Sequence, residues 1–299
     1  MDMRQEVKKF MEDHAWEAEA VQELTAFYDQ WAADGACLAV LEKWVEEYRH
    51  NIHMDYRLAN REVEAAAERA GKNAYQALLL LYLCLGRLLP EHYRRAGLPM
   101  EVCEDSLEDL KWKARECHKV YGVWGSFVAH WFPGFFDLTR FAIGRMQYEL
   151  VPFPEKYVQA GGKQPEGAQW AINTHIPSSG RLNHEECVAS YKKAASFWKE
   201  YFQIETPVFC CDSWLLFPEH EKFLPQQSNI LRFQRDYRIY DSHTDEKGGD
   251  LWRIFDMEYD GRPEKLPEDT GLRRAYKKWL MEGNLPGWGR GVLKGEVLE

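Results

Sequence analysis

The sequence lacks an apolar run long enough to cross a membrane. Its most apolar stretch covers residues 77–85 and is followed closely by Arg87, so it falls far short of the ~20 residues that a spanning helix needs. The chain also opens on charged residues, Asp2, Arg4 and Glu6, rather than on a basic and then apolar leader. We therefore expect a soluble, cytoplasmic protein with no membrane partner, in which residues 77–85 form a buried core helix.

The common motifs for metals, nucleotides and serine nucleophiles are also missing. The chain has seven cysteines but no Cys-x-x-Cys, no Walker or Rossmann glycine loop, no Gly-x-Ser-x-Gly and no His-Glu-x-x-His. Because the number of cysteines is odd and five of them lie in helical or apolar patterns, they are expected to be buried free thiols of a reducing compartment. No metal is predicted.

Basic residues are too few for nucleic-acid binding. Lys and Arg number 38 against 48 Asp and Glu, which gives a formal charge of −10, and an acidic chain repels phosphate backbones. Hydrophobic residues make up 45% and charged residues 29%, as in ordinary globular proteins. The length of 299 residues suggests about two domains by the rule of ~150 residues each.

Residues 1–140 have a helical pattern. Apolar side chains recur three or four positions apart, and Gly35, Gly71, Pro90 and Gly97 separate the runs. A long helix is expected from Pro99 to about Tyr121.

Residues 141–299 change to alternating strands and helices, so the domain boundary is placed after residue 140. A last helical run is expected at 135–143. The elements predicted after it are strands at 146–153, 170–176 and 207–216, helices at 183–201, 225–235 and 272–281, and a hairpin of strands at 237–242 and 251–255. The tail around Pro286, Gly287 and Gly289 has turn signals.

Three segments of this second part carry a resemblance. They are residues 173–177 (Asn-Thr-His-Ile-Pro), residues 211–216 (Cys-Asp-Ser-Trp-Leu-Leu) and residues 224–230 with Ser228-Asn229-Ile230. They resemble bacterial acyltransferase-domain proteins, which join a helical N-acyltransferase N-terminal domain to a GNAT-like C-terminal domain. The resemblance covers the whole second half, and the first half mainly by its helical character.

The resemblance implies an α+β fold, with an all-helical domain over 1–140 and a GNAT-like mixed-sheet domain over 141–299. The order of the predicted elements supports the same fold independently. The implied activity is transfer of an acyl group from acetyl-CoA or another acyl-CoA to a small amine or hydroxyl acceptor by direct attack. A non-catalytic small-molecule binding or sensing protein on the same fold is the alternative. The oligomeric state stays open.

The cofactor-binding candidates Ser178, Ser179, Gly180 and Arg181 lie between a predicted strand and a predicted helix. Such a loop presents unpaired N–H groups that suit a pyrophosphate, and Arg181 adds a charge. The usual GNAT pattern has a second small residue where this chain has Leu182. An ordinary polar turn, with Arg181 in a surface ion pair, is the other interpretation.

His175 is the candidate base, because histidine titrates near neutral pH. It shares a strand face with Asn173, and a hydrogen-bonded structural histidine is the alternative. Asn173, Gln147 and Glu149 are the candidate substrate-binding residues, or else part of a polar strand face.

The segment after the third predicted strand supplies further candidates. Asp212 is expected to orient the acceptor, Ser213 to act at the site and Trp214 to bind substrate. Cys211 is a less favoured nucleophile, since direct attack needs none and a buried thiol explains it. Ser228 is a candidate acid for the leaving thiolate, with helix capping as the simpler explanation.

Overall fold

A computed structural model describes residues 2–299. Within it the chain divides into two compact units, Met1–Phe141 and Ala142–Glu299. The sequence places the boundary after residue 140. That the two units fold as separate domains stays a prediction.

The first unit is helical. Its helices are α1 (Met3–Asp13), α2 (Ala18–Ala32), α3 (Gly35–His50), α4 (Tyr56–Arg69), α5 (Ala74–Gly86), α6 (Leu89–Ala96), α7 (Met100–Tyr121) and α8 (Pro133–Phe136). The long helix expected after Pro99 is α7, which ends at Gly122 in the left-handed conformation (φ +68°).

Helix α5 forms the centre of this unit. Its residues from Ala77 to Gly86 are all buried, and it contacts α1 to α4, α6 and α7. Because helices surround it, it is apolar on every side and has no polar stripe. The predicted core helix at 77–85 is confirmed. None of the helices described over residues 2–299 combines the length and apolar character that a membrane span needs.

The second unit is built on a six-stranded sheet. Its elements in chain order are β1 (Arg140–Ile143), β2 (Met146–Pro152), α9 (Glu155–Gln159), β3 (Trp170–His175), α10 (His184–Phe202), β4 (Phe209–Ser213), α11 (His220–Phe223), α12 (Asn229–Arg235), β5 (Tyr237–Thr244), α13 (Trp252–Phe255), α14 (Gly271–Met281) and β6 (Gly287–Leu293). The strand order is β1-β2-β3-β4-β6-β5. Strands β3 and β4 run parallel, whereas the pairs β2–β3, β4–β6 and β6–β5 are antiparallel. The sheet is therefore mixed, and the predicted α+β class is confirmed.

The predicted strand at 251–255 is wrong, because these residues form α13. Leu251, Ile254 and Phe255 are spaced as i, i+3 and i+4, and this spacing puts them on one helical face. They pack in an apolar cluster with Tyr276 and Leu280 of α14.

The true partner of β5 is β6, in the tail that the sequence marks as turns. Its glycines meet neighbouring chain closely: a Cβ at Gly289 would collide with the carbonyl of Leu216, and one at Gly287 with Phe217. Glycine inside a strand can mark such close backbone approach rather than a turn. The glycines of β6 therefore led to a prediction of turns where the structure has a strand.

The predicted helix at 135–143 is also wrong from residue 137 onwards. Helix α8 ends at Phe136, Leu138 turns the chain with φ +60°, and β1 then runs over Arg140–Ile143. All four residues of β1 are buried, so the strand lacks the alternation of apolar and polar residues that would have identified it.

Candidate functional site

The two faces of the sheet carry different side chains. On the covered face, Tyr148, Phe209 and Tyr237 pack against Tyr191 of α10. On the other face, which we call the polar face, lie charged and amide side chains of five neighbouring strands. These are Glu149, Asn173, His175, Asp212, Arg290 and Asp241.

Glu149 and His175 form a pair on the polar face. Oε1 of Glu149 lies 2.7 Å from Nε2 of His175, and the side chains are 21% and 17% exposed. The amide nitrogen of Asn173 lies 3.2 Å from the same ring nitrogen. Because an ionised carboxylate only accepts hydrogen bonds, Nε2 donates to Glu149, and a neutral ring then carries its lone pair on Nδ1. A donating Nε2 cannot also accept from the amide nitrogen of Asn173, so Asn173 is a neighbour of the pair rather than a hydrogen-bond partner in it. The structure thus brings together three predicted site residues, with Glu149 bound to the histidine.

Strands β3 and β4 separate beside this pair. They pair only at two register positions, Ile172 with Phe209 and Asn173 with Cys210. In contrast, β3 remains paired with β2 as far as His175, and β4 with β6 as far as Ser213. Beyond Asn173 the two parallel strands therefore present strand edges to each other across a gap. Backbone groups at a strand edge can hydrogen-bond to a ligand.

Asp212 lies on the β4 side of this gap and is held by an arginine that sequence reasoning missed. Nε of Arg290 donates to Oδ2 of Asp212 at 2.6 Å, and its Nη1 donates to Oδ2 of Asp241 at 3.3 Å. Nζ of Lys156 donates to the same Asp241 oxygen at 2.8 Å. The bond to Asp212 raises the pKa of Arg290, while the bond from Lys156 lowers the pKa of Asp241. Both groups are therefore charged at neutral pH.

The predicted cofactor loop follows β3. A second arginine, Arg145, holds it by hydrogen bonds. Its guanidinium donates to the carbonyls of Pro177 and Gly180, both at 3.1 Å, and to that of Arg181 at 3.4 Å. Burial lowers the pKa of Arg145. These bonds fix the shape of the loop, in which Gly180 has φ +112°. Arg145 directly precedes β2 and was not chosen as a site residue from the sequence.

The loop partly fits a pyrophosphate. Ser178, Gly180 and Arg181 are exposed. Two guanidinium groups are present, that of Arg181 in the loop and that of Arg145, which bonds to the loop's carbonyls. Against this, the side chain of Asn183 already accepts the first free N–H groups of α10, at 2.9 and 3.4 Å. Two acidic residues also occupy the first turn of α10. The loop's role stays a prediction.

The remaining candidates make local contacts. Oγ of Ser213 accepts from the N–H of Leu215, and Oγ of Ser228 caps α12 at the N–H of Ile230. Trp214 packs edge-on against His220 and Tyr276. Within residues 2–299, none of these three candidates bonds to His175, and their proposed roles stay predictions.

Cys211 and Gln147 are both buried. Burial raises the pKa of the Cys211 thiol well above its usual value, which disfavours a nucleophilic thiolate. Gln147 lies opposite His175 in the register of β2 and β3. Over residues 2–299, no group of three or more His, Cys, Asp or Glu side chains is arranged to hold a metal.

Comparisons with known proteins agree with this architecture. The N-acyltransferase N-terminal domain model matches residues 5–138, and the GNAT-like C-terminal domain model matches residues 140–293. An acyltransferase in complex with decanoyl-CoA superposes with a TM-score of 0.76 at 22% identity, over 97% of this chain and 87% of that chain. An acyltransferase mutant with octanoyl-CoA, and an acyltransferase with decanoyl-CoA and teicoplanin, each give 0.75 at 22% identity, over 97% and 88%.

No curated protein matches the sequence significantly. The structural likeness, at 22% identity, supports the fold, and the second domain model spans just over half of the chain. The resemblance found in the sequence is thereby confirmed, and the chain belongs to the family of proteins with a GNAT-like C-terminal domain.

Proposed function

We propose that this protein transfers an acyl group from an acyl-CoA to a small amine or hydroxyl acceptor by direct attack. The observation that carries the proposal is the Glu149–His175 pair at the point where β3 and β4 separate. Similar folds in solved structures hold octanoyl-CoA and decanoyl-CoA, which supports a medium-chain acyl-CoA as the donor here.

The thioester lies in the gap between β3 and β4, where strand edges can hydrogen-bond its carbonyl and pantetheine arm. The acceptor approaches from the polar face. Nδ1 of His175 takes the acceptor's proton as its nitrogen or oxygen forms a bond to the thioester carbon. The carbon–sulfur bond then breaks, and the coenzyme A thiolate leaves with the bonding electrons.

Glu149 is a positioning residue in this scheme. Its carboxylate holds the ring so that Nδ1 is the basic nitrogen, and it stabilises the imidazolium that forms when His175 accepts the proton. Asp212 is occupied by Arg290 and does not act as a base.

The donor loop is assigned to residues 178–181, with Arg145 keeping its shape. A cytoplasmic location fits the seven cysteines, which are all free and buried, and stays a prediction.

Calorimetric titration with octanoyl-CoA, followed by an assay of free thiol release in the presence of amines, tests the proposal. We expect saturable binding that Arg181→Ala weakens about tenfold, as for one charge-assisted hydrogen bond. Arg262→Ala is the matched control, because that arginine pairs with Asp260 on the surface. Absence of binding by both octanoyl-CoA and acetyl-CoA would rule out coenzyme A thioesters as donors. Binding without thiol release would favour the binding or sensing alternative.

A further inference from the structure

One charged group on the polar face has no part in the proposed proton transfer. It consists of Asp212, Arg290 and Asp241, on β4, β6 and β5, and we call it the Arg290 cluster. Asp212 and Arg290 face each other in the register of β4 and β6, and Arg290 and Asp241 do so in that of β6 and β5. Three adjacent strands therefore place the cluster in one row.

The row begins at the gap that separates His175 from Asp212. Each of these residues lies two positions beyond the last paired position of its strand, Asn173 with Cys210. Alternation along each strand therefore puts both side chains on the same face. An acceptor held at His175 has Asp212 and Arg290 on its other side.

The cluster keeps hydrogen-bonding groups for a ligand. Nη2 of Arg290 and Oδ1 of Asp212 have no bond among the contacts described for residues 2–299, whereas the carboxylate of Asp241 also accepts from the backbone N–H of Ser242. The side chains of Arg290 and Asp212 are 37% and 39% exposed. A ligand thus meets one donor, on Arg290, beside one acceptor, on Asp212. A hydroxyl group matches this pattern because it can accept from Nη2 and donate to a carboxylate.

The charge of the polar face also selects among acceptors. The charged groups nearest the gap are Glu149, Asp212 and Arg290, which carry two negative charges and one positive charge, whereas the cations Lys156 and Arg238 lie at β5, at the far end of the row. While His175 is neutral, this part of the polar face has an excess of one negative charge. An approaching ammonium is attracted and a carboxylate is repelled.

We propose that the Arg290 cluster recognises the acceptor and selects amines with hydroxyl groups next to the amine-bearing carbon, over hydrocarbon amines and over amino acids. The inference rests on the proposed function and names the acceptor class for the same site. Arg290 binds the hydroxyl, and the two aspartates fix the guanidinium and repel acceptors that carry a carboxylate.

Three acceptors of matched shape test the inference: isopropylamine, serinol and serine. The amine-bearing carbon carries two methyl groups in isopropylamine, two hydroxymethyl groups in serinol, and one hydroxymethyl and one carboxylate group in serine. We expect kcat/KM from octanoyl-CoA to be about tenfold or more higher for serinol than for isopropylamine, as for a hydrogen bond to a charged group, and lowest for serine. In Arg290→Met the serinol-to-isopropylamine ratio is expected to fall about tenfold. Because the serinol-to-isopropylamine ratio is compared between variants, the different basicities of the amines cancel.

Arg253→Met is the control, since Nε of Arg253 donates to Asp250 in an equivalent pair on another part of the same unit. It is expected to keep the wild-type ratio. Arg290→Lys keeps the charge but loses the planar fork. It should retain a reduced serinol advantage, and it serves as the second variant if Arg290→Met fails to fold.

Each other outcome overturns a defined part of the account. A serinol-to-isopropylamine ratio that is unchanged in Arg290→Met, or a wild type that prefers isopropylamine or serine, overturns the acceptor inference and leaves the acyltransferase proposal standing. Failure of octanoyl-CoA and acetyl-CoA to bind overturns both. Octanoyl-CoA binding without transfer to any of the three amines also overturns the acceptor inference, because no preference then exists.

Discussion

The two faces of one sheet use polar groups in opposite ways. On the covered face, the hydroxyl of Tyr191 is 2.9 Å from that of Tyr237, and the hydroxyl of Tyr148 is 2.7 Å from Oγ of Ser190. Burial raises the pKa values of all three tyrosines, so the phenols stay neutral. On the polar face, the partners are carboxylates, guanidinium, ammonium and imidazole groups that remain partly exposed.

This difference separates the fold from the chemistry along the same strands. Buried neutral hydroxyls that bond to one another satisfy their own hydrogen-bonding needs, and the aromatic rings around them contribute packing. Partly exposed charged groups contribute little to stability, yet they can bind a substrate or move a proton. Substitutions on the covered face should therefore reduce stability, and those on the polar face should reduce the rate.

The largest expected effect is on the polar face, at His175. His175→Ala removes the base and should lower the rate of acyl transfer by about 10²–10⁴-fold, with octanoyl-CoA affinity and melting temperature close to wild type. Stopped-flow detection of the released thiol measures the rate. The matched control is His50→Ala, since His50 pairs with Glu46 at 3.0 Å on an exposed helix. A variant that loses mainly melting temperature would assign His175 a structural role.

The largest effect on the covered face is expected at Tyr191. Tyr191→Ala leaves a cavity among Tyr148, Phe209 and Tyr237 and should lower the free energy of unfolding by about 3–5 kcal/mol. Tyr191→Phe removes only the hydroxyl and should cost about 1 kcal/mol. Urea denaturation measures both. If Tyr191→Phe instead abolished transfer while remaining fully stable, the functional division between the faces would be wrong.

A second histidine, His220, is buried and differs from His175 in its expected effect on stability. His220 is fully buried and bonds to the hydroxyl of Tyr276, and burial lowers its pKa to about 4. In the unfolded chain His220 takes up a proton near pH 6.5, whereas in the folded protein it does so only near pH 4. The contribution of the neutral, buried His220 to the free energy of unfolding is therefore complete above pH 6.5 and is lost as the pH falls towards 4. The loss should be about 3 kcal/mol.

Chemical denaturation between pH 4 and pH 7 measures this effect. His220→Phe should flatten the profile. An equally steep profile in His220→Phe would show that other groups cause the pH dependence.

The smallest expected effect is at Ser228. Its hydroxyl caps α12, so Ser228→Ala should cost about 1 kcal/mol of stability and leave kcat unchanged. Thermal melting and the thiol assay together measure this. A large loss of kcat with normal melting would restore the sequence-based hypothesis that Ser228 is the acid.

Sequence patterns predicted the elements that alternate or repeat clearly. Helix α7, the strand that carries Asn173 and His175, and helix α10 all appear close to their expected positions. The Asn173–His175 pair followed from strand alternation alone. Glu149 could be chosen as a polar strand residue, but its bond to His175 depends on the register between β2 and β3, which no local pattern determines.

The main failure was Arg290. Gly287, Gly289 and Gly291 make β6 look like a turn, although they are there because Leu216, Phe217 and Tyr237 pack against the strand. Contacts with residues distant in the sequence thus determine that this segment is a strand. They also determine where Arg290 lies. Arg145 was missed for a similar reason, since its three carbonyl acceptors lie more than 30 residues away in sequence.

A crystal structure with a stable thioether analogue of octanoyl-CoA would locate the donor directly. We expect the acyl end of the analogue to occupy the gap between β3 and β4, with the carbon that replaces the thioester carbonyl facing Nδ1 of His175 on the polar face. We also expect the phosphates to lie on the loop held by Arg145. An analogue bound outside the gap, or with its acyl end towards Tyr191 on the covered face, would contradict the account.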